Sequence, residues 1–190
     1  LIGSSWGAML GFIFTARHPS FVTKLILVGS GSYEEKYASN IMQTRLSRLN
    51  RAGKTEVISL MEALTNPALE DKSALMARFG RLISRADSYD PLPHDDEVLE
   101  YQYDVHQNVW EEARKLRSSG ELLKLGTKIQ CPVVALHGDY DPHPFEGVRT
   151  PLSSILRDFR SVLLKGCGHY PWIERVAREK FFDILKKEIN

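Results

Sequence analysis

Gly3-Ser4-Ser5-Trp6-Gly7 fits the pattern G-x-S-x-G, in which the central serine stands on a strained turn between a strand and a helix. Ser5 is thereby a candidate nucleophile. Both glycines are expected to be required, because a turn holding a serine in a strained conformation leaves no room for side chains two positions before and two after it. A serine hydroxyl attacks poorly until a base takes its proton, and that base needs a third group to fix its tautomer and stabilise the cation it becomes. The sequence must then supply a histidine and an acid. Both belong on loops just after strands, since in open α/β sheets ligands bind outside the carboxyl ends of the strands. Two segments meet this requirement, His137-Gly138-Asp139-Tyr140-Asp141 and Gly168-His169. His169 is the candidate base, and Asp139 and Asp141 are rival acids. The chain order Ser5, acid, His169 is the one that accompanies this serine turn.

The elements that must position these groups follow from periodicity. Residues 8–17 read as a helix, with Met9, Leu10, Ile13 and Phe14 at helical spacing. His18-Pro19-Ser20 breaks it. Residues 24–30 form a short aliphatic run bounded by turn residues, the signature of a strand buried on both faces. The next strand arrives only at residues 131–138, and an interval of about a hundred residues is too long for an unstructured loop. Amphipathic helices fill it at 34–51, 55–64, 73–86 and 95–117, with a proline-containing connector at 87–93. A helix near 146–157 containing Pro151, a strand at 159–164, a loop at 166–171 and a helix at 174–189 complete the chain. Val176, Ala177, Phe181, Ile184 and Leu185 are expected on the buried side of the last helix. Strand, turn, helix, strand is the grammar of a parallel α/β sheet. The expected division is a core of residues 1–32 and 128–190, carrying an all-helical cap at 33–127.

Composition narrows the function. The chain has 190 residues, with 25 lysines and arginines against 24 aspartates and glutamates, a balance that argues against nucleic acid or a membrane surface as partner. No apolar run has the length of a transmembrane helix, and no signal peptide is visible. Cys131 begins one expected strand and Cys167 follows another, about 20–30 Å apart by strand length. A disulfide needs Cα atoms within about 7 Å. Both therefore read as free thiols, compatible with a cytoplasmic protein.

The serine turn, His137-Gly-x-x-Asp141 and Gly168-His169, in that order and each after an expected strand, resemble the C-terminal two thirds of an α/β-hydrolase. A helical cap between the sixth and seventh strands is also a habit of that family. The resemblance implies Ser5 as nucleophile, Asp141 rather than Asp139 as acid, His169 as base, and no cofactor. It implies the backbone N–H of Trp6 as one oxyanion donor. The second donor normally comes from a loop after the third strand, for which this chain holds no counterpart. Trp6 after the nucleophile narrows the resemblance toward prolyl iminopeptidase-like members with a G-G-S-W-G elbow. These hold a free amine with acidic cap residues, for which Asp95, Asp96, Glu97 and Glu100 are candidates, although a charge run on a helix is more often a solvated face. A serine at the elbow counts against the epoxide hydrolases and haloalkane dehalogenases of the same fold, which use aspartate there.

The expected function is a serine hydrolase acting on a small ester or amide or a short peptide. The alternatives are a non-catalytic ligand-binding member and a C–C bond hydrolase with the same triad. Only Leu1 and Ile2 stand where a strand should feed the turn, and the chain opens on leucine, so it reads as the C-terminal part of a longer protein. The aliphatic strand at Leu25 to Val28 is then expected to be an open edge that invites self-association. The segment alone is expected to turn over poorly, since losing one oxyanion donor costs about a hundredfold to a thousandfold. His137, Asp139, Asp141 and His143 alternate as metal ligands sometimes do. Gly138 and Pro142 break the face they would share, so no metal is expected. His18 reads as a surface residue, and His94 and His106 as solvated or helix-packing.

Overall fold

Four short strands, of which Leu25–Val28 and Val133–Gly138 are the most aliphatic, build one sheet. In the computed structural model, which describes residues 1–66, 68, 69, 71–94 and 103–189, the strands β1 (Ile2–Ser4), β2 (Leu25–Val28), β3 (Val133–Gly138) and β4 (Phe159–Leu164) lie in that order. Every pairing is parallel. The helices are α1 (Trp6–Arg17), α2 (Ile41–Arg48), α3 (Arg51–Thr65), α4 (Ser73–Asp87), α5 (Tyr103–Ser118), α6 (Glu121–Lys124), α7 (Glu146–Ile155) and α8 (Arg178–Ile189). This is the expected parallel α/β sheet with flanking helices. β2 and β3 are buried along their whole length, as strands covered on both faces must be.

Alternation along the strands divides their side chains between two cores. Leu25, Leu27, Val133 and Ala135 pack with Phe12 of α1 and with Val148 and Leu152 of α7. Ile26, Val28, Val134 and Leu136 pack with Ala177 and with Phe181 of α8. The parallel register brings the carboxyl ends together, with Ser4 beside Val28, Val28 beside Leu136 and Gly138 beside Leu164. Every loop that carries a candidate reacting group leaves the sheet at this end.

Several boundaries differ from the sequence reading. Gly3 and Ser4 are extended and paired with Leu27 and Val28, so β1 has three residues and β2 is an interior strand. Among the described residues, β1 and β4 are the outer strands of the sheet. On α1, Met9 and Ile13 are buried, whereas Leu10 and Phe14 are exposed. The helix expected over 34–51 breaks into a 3₁₀ turn at Glu35–Tyr37 and then α2. Leu49 turns extended and Asn50 caps α3, its side chain accepting the N–H of Gly53 at 2.8 Å. Val176 is 61% exposed and precedes α8, which starts at Arg178. Pro151 lies inside α7 and has no N–H to give the carbonyl of Gly147. That carbonyl instead accepts the N–H of Tyr33 at 3.0 Å.

Cys131 and Cys167 are free thiols. Burial, reinforced by the charges of Glu174, Asp141 and Asp139, pushes the Cys167 thiol up to about 12. Among the described residues, no helix is long and apolar enough to cross a membrane.

Candidate active site

Ser5 sits at φ 52°, ψ −119°, and among the described residues it is the only non-glycine residue with positive φ. Such a conformation costs an L-residue about 1–3 kcal/mol, so the surroundings must hold it. Its N–H donates to the carbonyl of Val28 at 2.8 Å, which ties the turn to β2. Gly3 lets the turn close, because a Cβ there would stand 2.2 Å from the carbonyl oxygen of Gly7. The expectation for Gly7 itself is corrected. A Cβ at Gly7 meets nothing within 4 Å, so what crowds the turn is the main chain of Gly7 against Gly3.

The turn holds Ser5 Oγ 2.9 Å from Nε2 of His169, whose Nδ1 lies 2.7 Å from Oδ2 of Asp141. A carboxylate only accepts, so Nδ1 carries the proton and Nε2 is left to accept the Ser5 hydroxyl. His169 and Asp141 are buried, and Ser5 is partly exposed. Of the rival acids, Asp139 is exposed and turned away. It accepts the N–H of Cys167 at 3.3 Å and lies 3.5 Å from the ammonium of Lys165. The arrangement can move a proton from a hydroxyl to an imidazole whose positive charge a buried carboxylate then balances.

Asp141 has other imidazole neighbours. Its Oδ1 accepts the N–H of His143 at 2.9 Å, an Asx-type turn, and Nδ1 of His143 at 2.8 Å. His137 donates Nε2–H to the carbonyl of His143 at 2.8 Å, with the same nitrogen 3.6 Å from Asp141 Oδ2. Burial pushes the Asp141 carboxyl up, but His169, His143 and His137 together outweigh it and hold the group well below the usual carboxylate range. Burial lowers His143 despite its bond to Asp141. Asp141, His143 and His169 each offer a ligand atom within 4.8 Å of the others, a spacing a metal could use. Those groups are already joined by hydrogen bonds to one another, and Asp139, a member of the sequence-level metal grouping, faces elsewhere.

The residues that steady His169 were not visible in the sequence. Its N–H donates to the carbonyl of Asp87, at the end of α4, at 2.8 Å. The Asp87 carboxylate is buried and takes both ends of the Arg45 guanidinium, at 2.8 and 2.7 Å. Arg48, one turn further along α2, donates to the carbonyl of Ala86 at 3.0 Å and lies over the Tyr140 ring at 3.7 Å. Glu174, fully buried, accepts the N–H groups of Tyr89, Asp90 and Gly168 at 2.8, 2.8 and 2.9 Å. It thereby joins the end of α4 to the loop before His169. In the sequence Glu174 reads as the first residue of an amphipathic helix, and Arg45 and Asp87 lie 42 residues apart, so no local pattern announces either role.

Trp6 begins α1 immediately after Ser5, and its ring packs on Trp110 of α5 at 5.6 Å between centroids. The first N–H groups of a helix have no intrahelical acceptor, which leaves that of Trp6 available beside Ser5. His18 and His94 are exposed. Asp95, Asp96, Glu97 and Glu100, and the side chain of His106, lie outside the described residues.

A family model described as alpha/beta hydrolase fold matches residues 1–176. Similar solved structures include a putative lipase from Acinetobacter baumannii AYE, with TM-score 0.56, 19% identity, and coverage of 99% of this chain and 60% of that one. A proline iminopeptidase from Mycobacterium smegmatis gives TM-score 0.55, 16% identity, and coverage of 98% and 62%. The epoxide hydrolase CorEH gives 0.60, 18%, and coverage of 99% and 66%. The chain thus spans about three fifths to two thirds of the length of these structures. No curated protein matches significantly.

Proposed function

The chain belongs to the α/β-hydrolase family, and from that premise we propose that it cleaves an ester or amide bond with Ser5 as nucleophile, His169 as general base and Asp141 as the acid that orients it. What supports this reading above all is the unbroken line of hydrogen bonds from Ser5 Oγ through the His169 ring to Asp141 Oδ2, at 2.9 and 2.7 Å. Ser5 Oγ attacks the substrate carbonyl while Nε2 of His169 takes its proton. The N–H of Trp6 receives the developing oxyanion. The imidazolium, balanced by Asp141, gives its proton to the leaving alcohol or amine, and Ser5 is left acylated. Water, activated by the same nitrogen, then breaks the acyl bond and restores Ser5.

The substrate class is a small ester, a small amide or a short peptide. The helices between β2 and β3 serve as a cap, and the Trp6–Trp110 contact supplies an apolar wall beside Ser5. Within the family we favour a prolyl iminopeptidase-like enzyme, on the strength of the Ser-Trp-Gly elbow. Likenesses at 16–19% identity to an iminopeptidase and a lipase speak to fold and do not choose between them. Turnover of p-nitrophenyl acetate and of proline p-nitroanilide tests both levels. Hydrolysis that disappears in Ser5→Ala is expected, with proline p-nitroanilide the better substrate. Hydrolysis retained in Ser5→Ala, or none by the full-length protein, overturns the reading.

A further inference from the structure

The loop that carries His169 changes its support after Cys167. Cys167 itself is held by the loop after β3, whose Tyr140 N–H donates to its carbonyl at 2.8 Å. The next two N–H groups turn elsewhere. That of Gly168 donates to Glu174 Oε1 at 2.9 Å, and that of His169 to the carbonyl of Asp87, the last residue of α4, at 2.8 Å. Glu174 is tied to the same place, because its carboxylate also takes the N–H of Tyr89 on Oε1 and that of Asp90 on Oε2, each at 2.8 Å. The main chain repeats the link. Glu174 bridges Pro91 in antiparallel fashion, while Leu92 donates to the carbonyl of Ile173 at 2.7 Å and Arg175 to that of Asp90 at 3.0 Å. No slack is left between the two segments: a Cβ at Gly168 would stand 2.1 Å from the Asp87 carbonyl oxygen and 2.5 Å from Glu174 Oε1.

We propose that Glu174 is a positioning residue for His169, a clasp that joins the connector after α4 to the histidine loop and so holds the inserted helices and the base in one fixed relation. The clasp is read from hydrogen-bond geometry, and its consequence for turnover rests on the hydrolase reading. Glu174 is fully buried, and so is the Gly168 N–H that it accepts. A buried N–H deprived of its acceptor costs more than the bond contributes net, so without the carboxylate the loop and the connector must part until water or another acceptor is reached. Movement of Gly168 carries the adjacent His169 with it. Nε2 of His169, now 2.9 Å from Ser5 Oγ, must keep that reach to take the hydroxyl proton. A displacement of about 1 Å at a reacting group costs about a hundredfold in rate.

The test reads amide hydrogen exchange by NMR, which needs no turnover, beside the rate of fluorophosphonate labelling at Ser5, both in the full-length protein. In Glu174→Leu the acceptors are lost at similar side-chain volume. The amides of Gly168 and His169 should exchange about tenfold faster or more, those of Val134 and Leu136 in β3 should keep the wild-type rate, and labelling should slow by about tenfold to a hundredfold. Glu174→Gln keeps one carbonyl oxygen, which still has two lone pairs to offer, and should fall between wild type and Glu174→Leu in both measurements. Exchange that quickens equally in the loop and in β3, as a general loss of stability would give, overturns the proposal. So does labelling at the wild-type rate in Glu174→Leu. If Glu174→Leu does not fold, Glu174→Gln is judged against wild type by the same criteria. Faster exchange confined to Gly168 and His169 in a protein whose Ser5 is never labelled would sink the hydrolase reading and leave the clasp standing. Labelling of wild type with unmoved exchange in the variants would do the reverse.

Discussion

The main-chain N–H of His169 donates to the main-chain carbonyl of Asp87 at 2.8 Å. The candidate base is thus fixed partly by the last residue of α4, a helix inserted between β2 and β3, and not by the sheet alone. Asp87 is in turn anchored by Arg45 of α2.

Removing that anchor leaves a buried carboxylate without its counter-ion. Arg45→Met should destabilise the protein by about 3–5 kcal/mol in urea titration. Displacement of His169 should lower the proposed hydrolysis, read with p-nitrophenyl acetate, by up to about a hundredfold. Wild-type stability and turnover in this variant would show that α2 and α4 do not hold the base.

The two elbow glycines should behave oppositely. Gly3→Ala forces a Cβ to 2.2 Å from a main-chain oxygen; a loss of about 3 kcal/mol or more and of Ser5 reactivity is expected. Gly7→Ala adds a Cβ that meets nothing, inside α1, and should be neutral or stabilising by up to about 1 kcal/mol. Urea midpoints of the two variants check this, and similar losses in both would refute it.

Much of this site was legible in the sequence because its parts are local. A serine turn, an acid loop and a histidine loop each announce themselves within a few residues, and a short aliphatic run bounded by turn residues, such as Leu25–Val28, reads as a strand buried on both faces. Between Asp139 and Asp141 the residue types alone do not choose; the resemblance of His137-Gly-x-x-Asp141 to a family pattern pointed to Asp141, without showing why. The choice depends on how the loop after β3 turns, which aims one carboxylate at His169 and the other toward Lys165. The supporting network was illegible for a similar reason. Arg45, Asp87 and Glu174 come together only through the packing of α2, α4 and the His169 loop, and nothing in their own neighbourhoods marks them. His143 was visible as a metal candidate, because alternation shows residue types and not the direction in which a ring donates its proton.

Asp141 should leave a mark on acid stability. Its folded-state value lies below the ordinary 3.8 of an aspartate, so it contributes stability that is fully present above that pH and lost as pH falls through the folded value. Urea midpoints of wild type and Asp141→Asn should differ most at neutral pH and converge below about pH 4. A constant gap down to pH 2 would contradict the assignment. The same substitution should reduce turnover by about 10⁴-fold.

The proposed chemistry rests on the Ser5 hydroxyl being activated by His169, and reaction with a fluorophosphonate probe, with the adduct mapped by mass spectrometry, tests this most directly. The expected result is one adduct, on Ser5, absent in Ser5→Ala and formed at least about a thousandfold more slowly in His169→Ala. An adduct on another residue, or labelling that persists in Ser5→Ala, would contradict it.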